Sequence, residues 1–163
     1  MKTVICLLIL SGLAACTVAA PLSSPAPTAE LSLPSPEDAV HPAAGLPAEV
    51  ALVLRRSGGI AGVSEQWTIY TDGSVEAGDG RRWQATPEEV ASLVAEIEGL
   101  GFFELDSRYV PFDTCCDRFT YELAVRSGER SHAVTALEAT PDVPEALWEA
   151  LDAVQRFLAG VTG

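Results

Sequence analysis

The second half of the chain contains two stretches in which apolar and polar residues alternate, and this pattern predicts a pair of β-strands. One face of residues 118–127 carries the apolar side chains Phe119, Tyr121, Leu123 and Val125. A Ser-Gly-Glu turn occupies residues 127–129, and residues 130–137 return as the partner strand. Alternation with a period of two is typical of a strand that buries one face and exposes the other.

The same period predicts two strands nearer the middle of the chain. Residues 49–55 place Val50, Leu52 and Leu54 on one face. Residues 66–71 form the second strand, which ends at an Asp-Gly dipeptide typical of tight turns. Between these strands lies a glycine-rich connection, and residues 74–76 together with 82–84 predict a third, shorter strand.

Two later stretches have the 3.6-residue period of an amphipathic helix. The first opens with Thr86-Pro87-Glu88-Glu89, in which Thr86 suits the N-cap, Pro87 suits the first helical position and Glu89 completes a capping box. The second helix is predicted to start at residues 142–145 and to end at Gly160.

The predicted element order is therefore β-β-β-α-β-β-α. Hairpins followed by helices favour an α+β domain, in which two helices pack on one face of an antiparallel sheet of four to five strands. The chain shows no repeat with a period of 20–50 residues, so a solenoid or propeller is disfavoured.

Residues 1–15 have the composition of a secretory signal peptide. Lys2 supplies a positive charge, and residues 4–10 form an apolar run shorter than the roughly 20 residues that a membrane-spanning helix needs. The sequence Leu-Ala-Ala-Cys at residues 13–16 resembles the lipobox of bacterial lipoproteins. That resemblance implies cleavage before Cys16, acylation of Cys16, and a lipid anchor on the extracytoplasmic side of a membrane in the cell envelope. Conventional secretory cleavage at residues 17–20 is the alternative.

Residues 16–47 show neither a helical nor a strand period. Seven prolines lie among serine, alanine and threonine in this stretch. We predict a lipidated cysteine followed by a disordered, partly polyproline tether at residues 16–47, and a folded domain at residues 48–163. A domain of that length can bury a hydrophobic core of modest size.

The charge of the chain restricts its partners. The formal net charge is −13, and Lys2 is the only lysine, so every basic residue beyond the signal peptide is arginine. An acidic surface repels phosphates, which disfavours nucleic-acid binding, and it disfavours polybasic contact with anionic lipids. It is compatible with simple solubility in the envelope or with a basic partner surface.

Cysteine and histidine are too scarce for an evident catalytic centre. The predicted domain contains adjacent Cys115 and Cys116 and a single histidine, His132. A nucleophilic Cys–His pair is disfavoured because the alternation places His132 on a strand, and the chain has no strained nucleophile elbow. The sequence therefore predicts that the protein is not an enzyme and needs no cofactor or small-molecule substrate.

The adjacent cysteines allow several interpretations. A disulfide between Cys115 and Cys116 suits the oxidising compartment that the leader implies, although neighbouring Cα atoms about 3.8 Å apart would strain it. We favour this oxidised pair over reduced, buried thiols; a disulfide between two chains is a further alternative. A metal site is least favoured, because zinc ligands usually have C-x₂₋₄-C spacing.

Three segments are similar to the emfourin family, which are small protein inhibitors of thermolysin-like zinc metalloproteases such as protealysin. These segments are residues 56–62, 101–105 and 117–121, and the resemblance covers about residues 50–158. The resemblance implies an inhibitor that acts sterically, with a loop that occupies the protease cleft and is not cleaved. The loop proposed for this contact consists of Ser57, Gly58, Gly59, Ile60, Ala61 and Gly62.

The same resemblance and the predicted loop positions offer a second contact. Residues 138–140 connect the last strand to the last helix, and the carboxylate of Glu138 would meet an arginine of the cleft or the catalytic zinc. Ile60 would be the apolar tip of the first loop. The implied partners are thus a thermolysin-like metalloprotease and, through the acyl chains on Cys16, a membrane.

Two other functions are compatible with these residues. The chain would be an envelope binding or structural lipoprotein if it kept the fold without inhibiting a protease, since a shared fold does not carry a function by itself. A thiol or metal protein that uses Cys115 and Cys116 is the less favoured alternative.

Overall fold

The strands and helices follow the stretches that alternate or repeat in the sequence. The computed structural model describes residues 45–114 and 117–163. Its strands are β1 (Val50–Gly58), β2 (Val63–Tyr70), β3 (Ser74–Ala77), β4 (Arg82–Gln84), β5 (Arg108–Tyr109), β6 (Phe119–Ser127) and β7 (Arg130–Leu137). Its helices are α1 (Pro87–Gly99) and α2 (Glu145–Thr162), and a 3₁₀ turn covers Phe102–Glu104.

The α+β class is confirmed, but the sheet is larger than predicted and is mixed. The strand order is β4-β3-β2-β1-β6-β7-β5, and β5 runs parallel to β7 whereas the other neighbours are antiparallel. The predicted order and the antiparallel sheet of four to five strands are therefore only roughly right. Residues 74–77 and 82–84 form two strands, because a turn in which Gly80 N–H donates to the carbonyl of Ala77 separates them.

Both helices cover one face of the sheet, and the main core lies between the helices and this face. Its largest fully buried side chains are Phe102, Leu52, Ile69, Ile97, Leu123 and Leu147. Burial of one such side chain contributes about 1.5–3 kcal/mol, so this layer supplies most of the apolar stabilisation. Gly160 does not end α2 as predicted, because the helix continues to Thr162 and Val161 still packs against the core.

The start of α1 is fixed by the predicted capping box. Thr86 Oγ1 accepts a hydrogen bond from Glu89 N–H at 3.2 Å, and Glu89 Oε2 accepts one from Thr86 N–H at 2.8 Å. The Thr86 hydroxyl donates to the same carboxylate oxygen at 2.9 Å. These bonds favour the ionised carboxylate and lower the pKa of Glu89 from its ordinary value of 4.5.

We expect Glu89→Gln to make the fold less sensitive to acid. Because the pKa of Glu89 is lower in the folded state, its carboxylate stabilises the fold above the unfolded pKa, and this contribution is lost as the pH falls through the folded pKa. In thermal melts, the difference in Tm between the wild type and the variant should decrease as the pH is lowered from about 7 to about 3. Glu88→Gln removes the same charge one residue earlier and is the control; a gap independent of pH would contradict the prediction.

The described chain begins at the end of the sheet opposite the β1–β2 loop. Leu46 is buried with Val50 and Val53 in a small cluster on the face away from the helices. Its carbonyl accepts a hydrogen bond from Arg126 Nη1 at 2.8 Å. Packing therefore already includes residue 46, two residues before the predicted start of the domain.

The predictions for the signal peptide at residues 1–15, for lipidated Cys16 and for the tether as far as residue 44 lie outside the described residues. Within the described part, neither helix combines the length and the apolar character needed to cross a membrane. The attachment of the chain to a membrane therefore stays a prediction from the sequence.

Candidate functional site

The β1–β2 hairpin projects a short loop at one end of the sheet. The two strands pair as far as Gly58 and Val63, so the loop consists of the four residues Gly59–Gly62. Ser57 and Gly58 were predicted to belong to the loop but are the last residues of β1, since both also pair with β6. Gly62 N–H donates to the carbonyl of Gly59 at 3.0 Å and closes the turn.

Two glycines hold this hairpin directly against the start of β6. A Cβ on Gly58 would lie 2.4 Å from the carbonyl oxygen of Arg118, and one on Gly59 would lie 2.8 Å from the Phe119 ring. Gly59 N–H donates to the Arg118 carbonyl at 3.2 Å. Only glycine permits such an approach together with the positive φ of these residues, so the base of the loop is fixed in place.

The exposed large apolar side chains of the described residues lie at this same end of the sheet. Ile60, at the turn, is 89 % exposed, and Phe112 is fully exposed. Phe112 belongs to the connection from β5 to β6, which lies at the end of the sheet where β7 ends and β6 begins. Phe112 was not predicted from the sequence; its signal is an aromatic residue between Pro111 and Asp113 in a stretch without any period.

Glu138, the second predicted contact, also lies at this end, and its carboxylate is engaged within the chain. Phe119 N–H donates to Glu138 Oε2 at 3.2 Å, and Glu138 N–H donates to the Phe119 carbonyl at 2.8 Å. The next residues include Ala139 and Asp142 with positive φ of 55° and 65°, a conformation uncommon for residues other than glycine. The carboxylate therefore orders the loop that follows β7.

Two buried polar atoms at this end have no hydrogen-bond partner among the described residues. They are Nε of Arg56 and Oγ1 of Thr140. The guanidinium of Arg56 is otherwise engaged, since it lies 4.9 Å from the centroid of the Phe119 ring and 3.0 Å from a carboxylate oxygen of Glu65. Unsatisfied buried groups are uncommon in folded domains; Arg56 lies two residues before the end of β1, and Thr140 lies three residues after the end of β7.

The loops beside the hairpin are acidic. Residues 110–118 and 138–144 contain four carboxylates and one arginine, which are Asp113, Asp117, Glu138, Asp142 and Arg118. Arg118, the last residue before β6, donates from its side chain to the carbonyl of Asp113 at 3.1 Å, and this bond links the two ends of residues 113–118. This end of the sheet therefore combines exposed apolar side chains with connections of net negative charge.

His132 has a structural environment. Its Nε2 lies 2.8 Å from the carbonyl oxygen of Leu105, and its ring packs against Phe102 at 5.6 Å between centroids. His132 pairs with Val125 near the far end of β6, six residues from Phe119. At about 3.4 Å per residue this separation is about 20 Å, so His132 does not belong to the loop end of the sheet.

Cys115 and Cys116, predicted to form a disulfide, lie outside the described residues. Their neighbours in sequence, Thr114 and Asp117, belong to the acidic segment before β6. No group of histidine, cysteine, aspartate and glutamate suited to a metal ion occurs among residues 45–114 and 117–163.

The chain matches no protein-family model, no curated protein and no solved structure. The similarity of its short segments to the emfourin family therefore supports a proposal only.

Proposed function

We propose that this chain is a cell-envelope lipoprotein whose domain inhibits a thermolysin-like metalloprotease by inserting the loop Gly59–Gly62 into the protease cleft. The observation that carries this proposal is the position of Ile60 and Phe112, two exposed large apolar side chains at one end of the sheet. Contiguous exposed apolar surface is typical of a binding site, because moving it from water into a partner's pocket is favourable, and Ile60 and Phe112 supply the apolar side chains for such a surface.

The loop has the stiffness that an inhibitor requires. Gly58 and Gly59 press against β6, and the loop itself spans four residues between two paired strands. A loop already fixed in its bound shape loses little conformational entropy when it binds. Its backbone carries one large side chain, Ile60, so the loop suits a narrow cleft that accepts an apolar anchor.

The charge of the surrounding loops adds a preference for a basic rim on the partner. Asp113, Asp117, Glu138 and Asp142 lie in the connections next to the hairpin. Complementary charge raises the rate of association more than the final affinity, and it weakens with salt. Inhibition by this surface should therefore set in more slowly at high ionic strength.

The proposed lipid anchor would hold the domain in the cell envelope and is compatible with binding of a protease at the loop end of the sheet. Acyl chains on Cys16 contribute about 0.8 kcal/mol for each buried CH₂, and two or more chains attach a protein stably. The described chain begins at Gly45, at the end of the sheet opposite the loop. Attachment through the N-terminal side therefore leaves Ile60 and Phe112 accessible.

Titration of the full chain, purified in detergent micelles, against protealysin tests the proposal. We expect inhibition of peptide hydrolysis at micromolar concentration or below. Ile60→Asp should weaken inhibition at least about tenfold, which corresponds to about 1.4 kcal/mol, because it would place a charge in an apolar pocket. Ala91→Glu adds the same charge on the exposed surface of α1 and should inhibit as the wild type does.

Two results would refute this function. One is the absence of any slowing of the protease by the wild-type chain at about 10 µM, roughly tenfold above the expected range. The other is equal inhibition by the wild type and by Ile60→Asp. Cys16→Ser addresses the anchor separately, since the intact mass of this variant should lack the acyl chains found on the wild type while the variant still inhibits.

A further inference from the structure

The outer edge of β2 is uncovered along its first residues. β3 pairs with β2 only from Trp67 to Ile69, and Gly78 N–H donates to the carbonyl of Gln66 at 2.8 Å where the β3–β4 hairpin turns away. Within the described part of the chain, residues 63–65 have no strand partner on this side. They do pair with β1 on the other side.

The register defines which backbone groups this edge presents. Gln66 directs its carbonyl towards the β3 side, and the direction of the backbone groups alternates along a strand. Ser64, two residues earlier, therefore directs its N–H and carbonyl outward, away from β1. An edge with unpaired backbone groups is a template for another strand.

A notch lies along this edge, between β2 and the β3–β4 turn. Its volume is about 320 Å³, and its lining includes Ser64, Glu65, Trp67, Gly78, Asp79 and Arg81. Trp67 is half-buried, with its ring centroid 5.4 Å from that of Trp83, and it supplies an apolar side to a notch whose lining is otherwise mostly polar. The β3–β4 turn closes the notch at one end, so a strand placed here would continue the sheet from the point where β3 leaves it.

The notch and the hairpin loop are parts of one surface. Val63 follows Gly62 directly, so the uncovered edge starts where the Gly59–Gly62 loop ends. Ser64 is four residues after Ile60, so a partner that binds Ile60 also lies near the backbone of Ser64. This continuity connects the edge to the binding surface of the proposed function.

We propose that the partner adds an extended, basic segment as an additional strand beside Ser64 and places one of its side chains in the notch. The inference rests on the proposed function for the identity of the partner, but it specifies how that partner is held. Backbone hydrogen bonds supply affinity in this mode, and the pocket for a side chain supplies specificity. A basic segment complements the net charge of −13, whereas a second copy of the chain carries the same charge and is repelled.

Two peptides of equal charge test strand addition without a protease. The first is a fluorescein-labelled octapeptide of alternating lysine and valine, and the second has proline in place of each valine. The full chain in detergent micelles should bind the second at least tenfold more weakly by fluorescence anisotropy, because proline has no N–H to donate and does not fit a paired strand. Equal binding would show charge attraction alone and would overturn the proposal.

A backbone variant tests the edge itself. Ser64→Pro removes the outward N–H while leaving the hydrogen bonds to β1 intact, since proline is tolerated on an edge strand when its nitrogen faces solvent. It should weaken binding of the lysine–valine peptide, and inhibition of protealysin, at least tenfold. Ser64→Thr keeps the N–H and should behave as the wild type. Hydrogen exchange on the wild type needs no variant: the Ser64 amide should become protected when the peptide binds, and an unchanged exchange rate would refute strand addition.

The outcomes separate this inference from the proposed function. If Ile60→Asp weakens inhibition while Ser64→Pro inhibits as the wild type does, the function stands and strand addition is wrong. If the peptide protects Ser64 but the chain does not inhibit the protease, strand addition stands and the proposed inhibition is wrong. Dimerisation in sedimentation experiments that Ser64→Pro abolishes would assign the edge to a second copy and overturn the proposal.

Discussion

Phe102→Ala is expected to lower the free energy of unfolding by about 3–5 kcal/mol. Phe102 has no exposed surface, and its ring meets Phe103 edge-on at 5.9 Å and His132 at 5.6 Å between centroids. Truncation removes these contacts and leaves a cavity under the chain that joins α1 to β5. Domains are stable by about 5–15 kcal/mol, so the loss is a large fraction of the total. Urea unfolding followed by circular dichroism measures it.

The chain offers a matched control for this truncation. Phe112→Ala removes the same atoms from a side chain that is fully exposed, and its effect should stay within about 0.5 kcal/mol. The same control variant should weaken protease inhibition, since Phe112 lies on the proposed binding surface. Equal losses of stability for the two variants would contradict the assignment of Phe102 to the core and Phe112 to the surface.

Gly58→Ala is expected to cost about 3 kcal/mol and to displace the hairpin loop. The φ of Gly58 is 111°, and holding a residue with a Cβ in such a region costs about 1–3 kcal/mol. The new Cβ would also lie 2.4 Å from the carbonyl oxygen of Arg118, so the strands β1 and β6 must separate at this point. The free energy of unfolding in urea reports the cost, and the inhibition constant reports the displacement.

Gly62→Ala separates the backbone strain from the steric contact. Gly62 has a positive φ of 62°, but a Cβ there would meet no atom within 4 Å. The substitution should therefore cost only the left-handed conformation, about 1 kcal/mol. If Gly58→Ala cost no more than Gly62→Ala, the close approach of Gly58 to Arg118 would not contribute to stability.

The elements that sequence analysis predicted best are those encoded within a few residues. The capping box depends on Thr86 and Glu89, which are three positions apart, and both of its hydrogen bonds form. The alternation in residues 118–127 likewise needs no information from elsewhere, and β6 covers Phe119–Ser127. A helix start or a one-faced strand is thus readable before the fold is known.

The errors concern pairing between distant residues. β5 has two residues, Arg108 and Tyr109, and exists only because they pair with residues 135–136, which are 27 positions later. Ser57 and Gly58 looked like loop residues because of the glycines that follow them. They became strand because β6 extends far enough to pair with them. No local pattern carries that information.

In the candidate site, too, features encoded locally were predicted and features that depend on distant pairing were not. Ile60 was predicted as the apolar tip from the glycines around it, and it is exposed. Phe112 was missed because the position of its segment depends on the parallel pairing of β5 with β7, which no local pattern predicts. Glu138 was placed in the correct connection, but its bond to the backbone of Phe119 depends on the register of β6 and β7.

The direction of β1 has a mechanical consequence. The described chain enters beside Val50 and reaches the loop after Gly58, a path of about 27 Å along a strand that is flanked by β2 and β6. If the N-terminal side is tied to a membrane while a partner holds the loop, the load runs along β1. The hydrogen bonds on both sides of this strand lie perpendicular to the pull and resist it together rather than one at a time. The domain would then transmit force lengthwise through its most strongly paired strand.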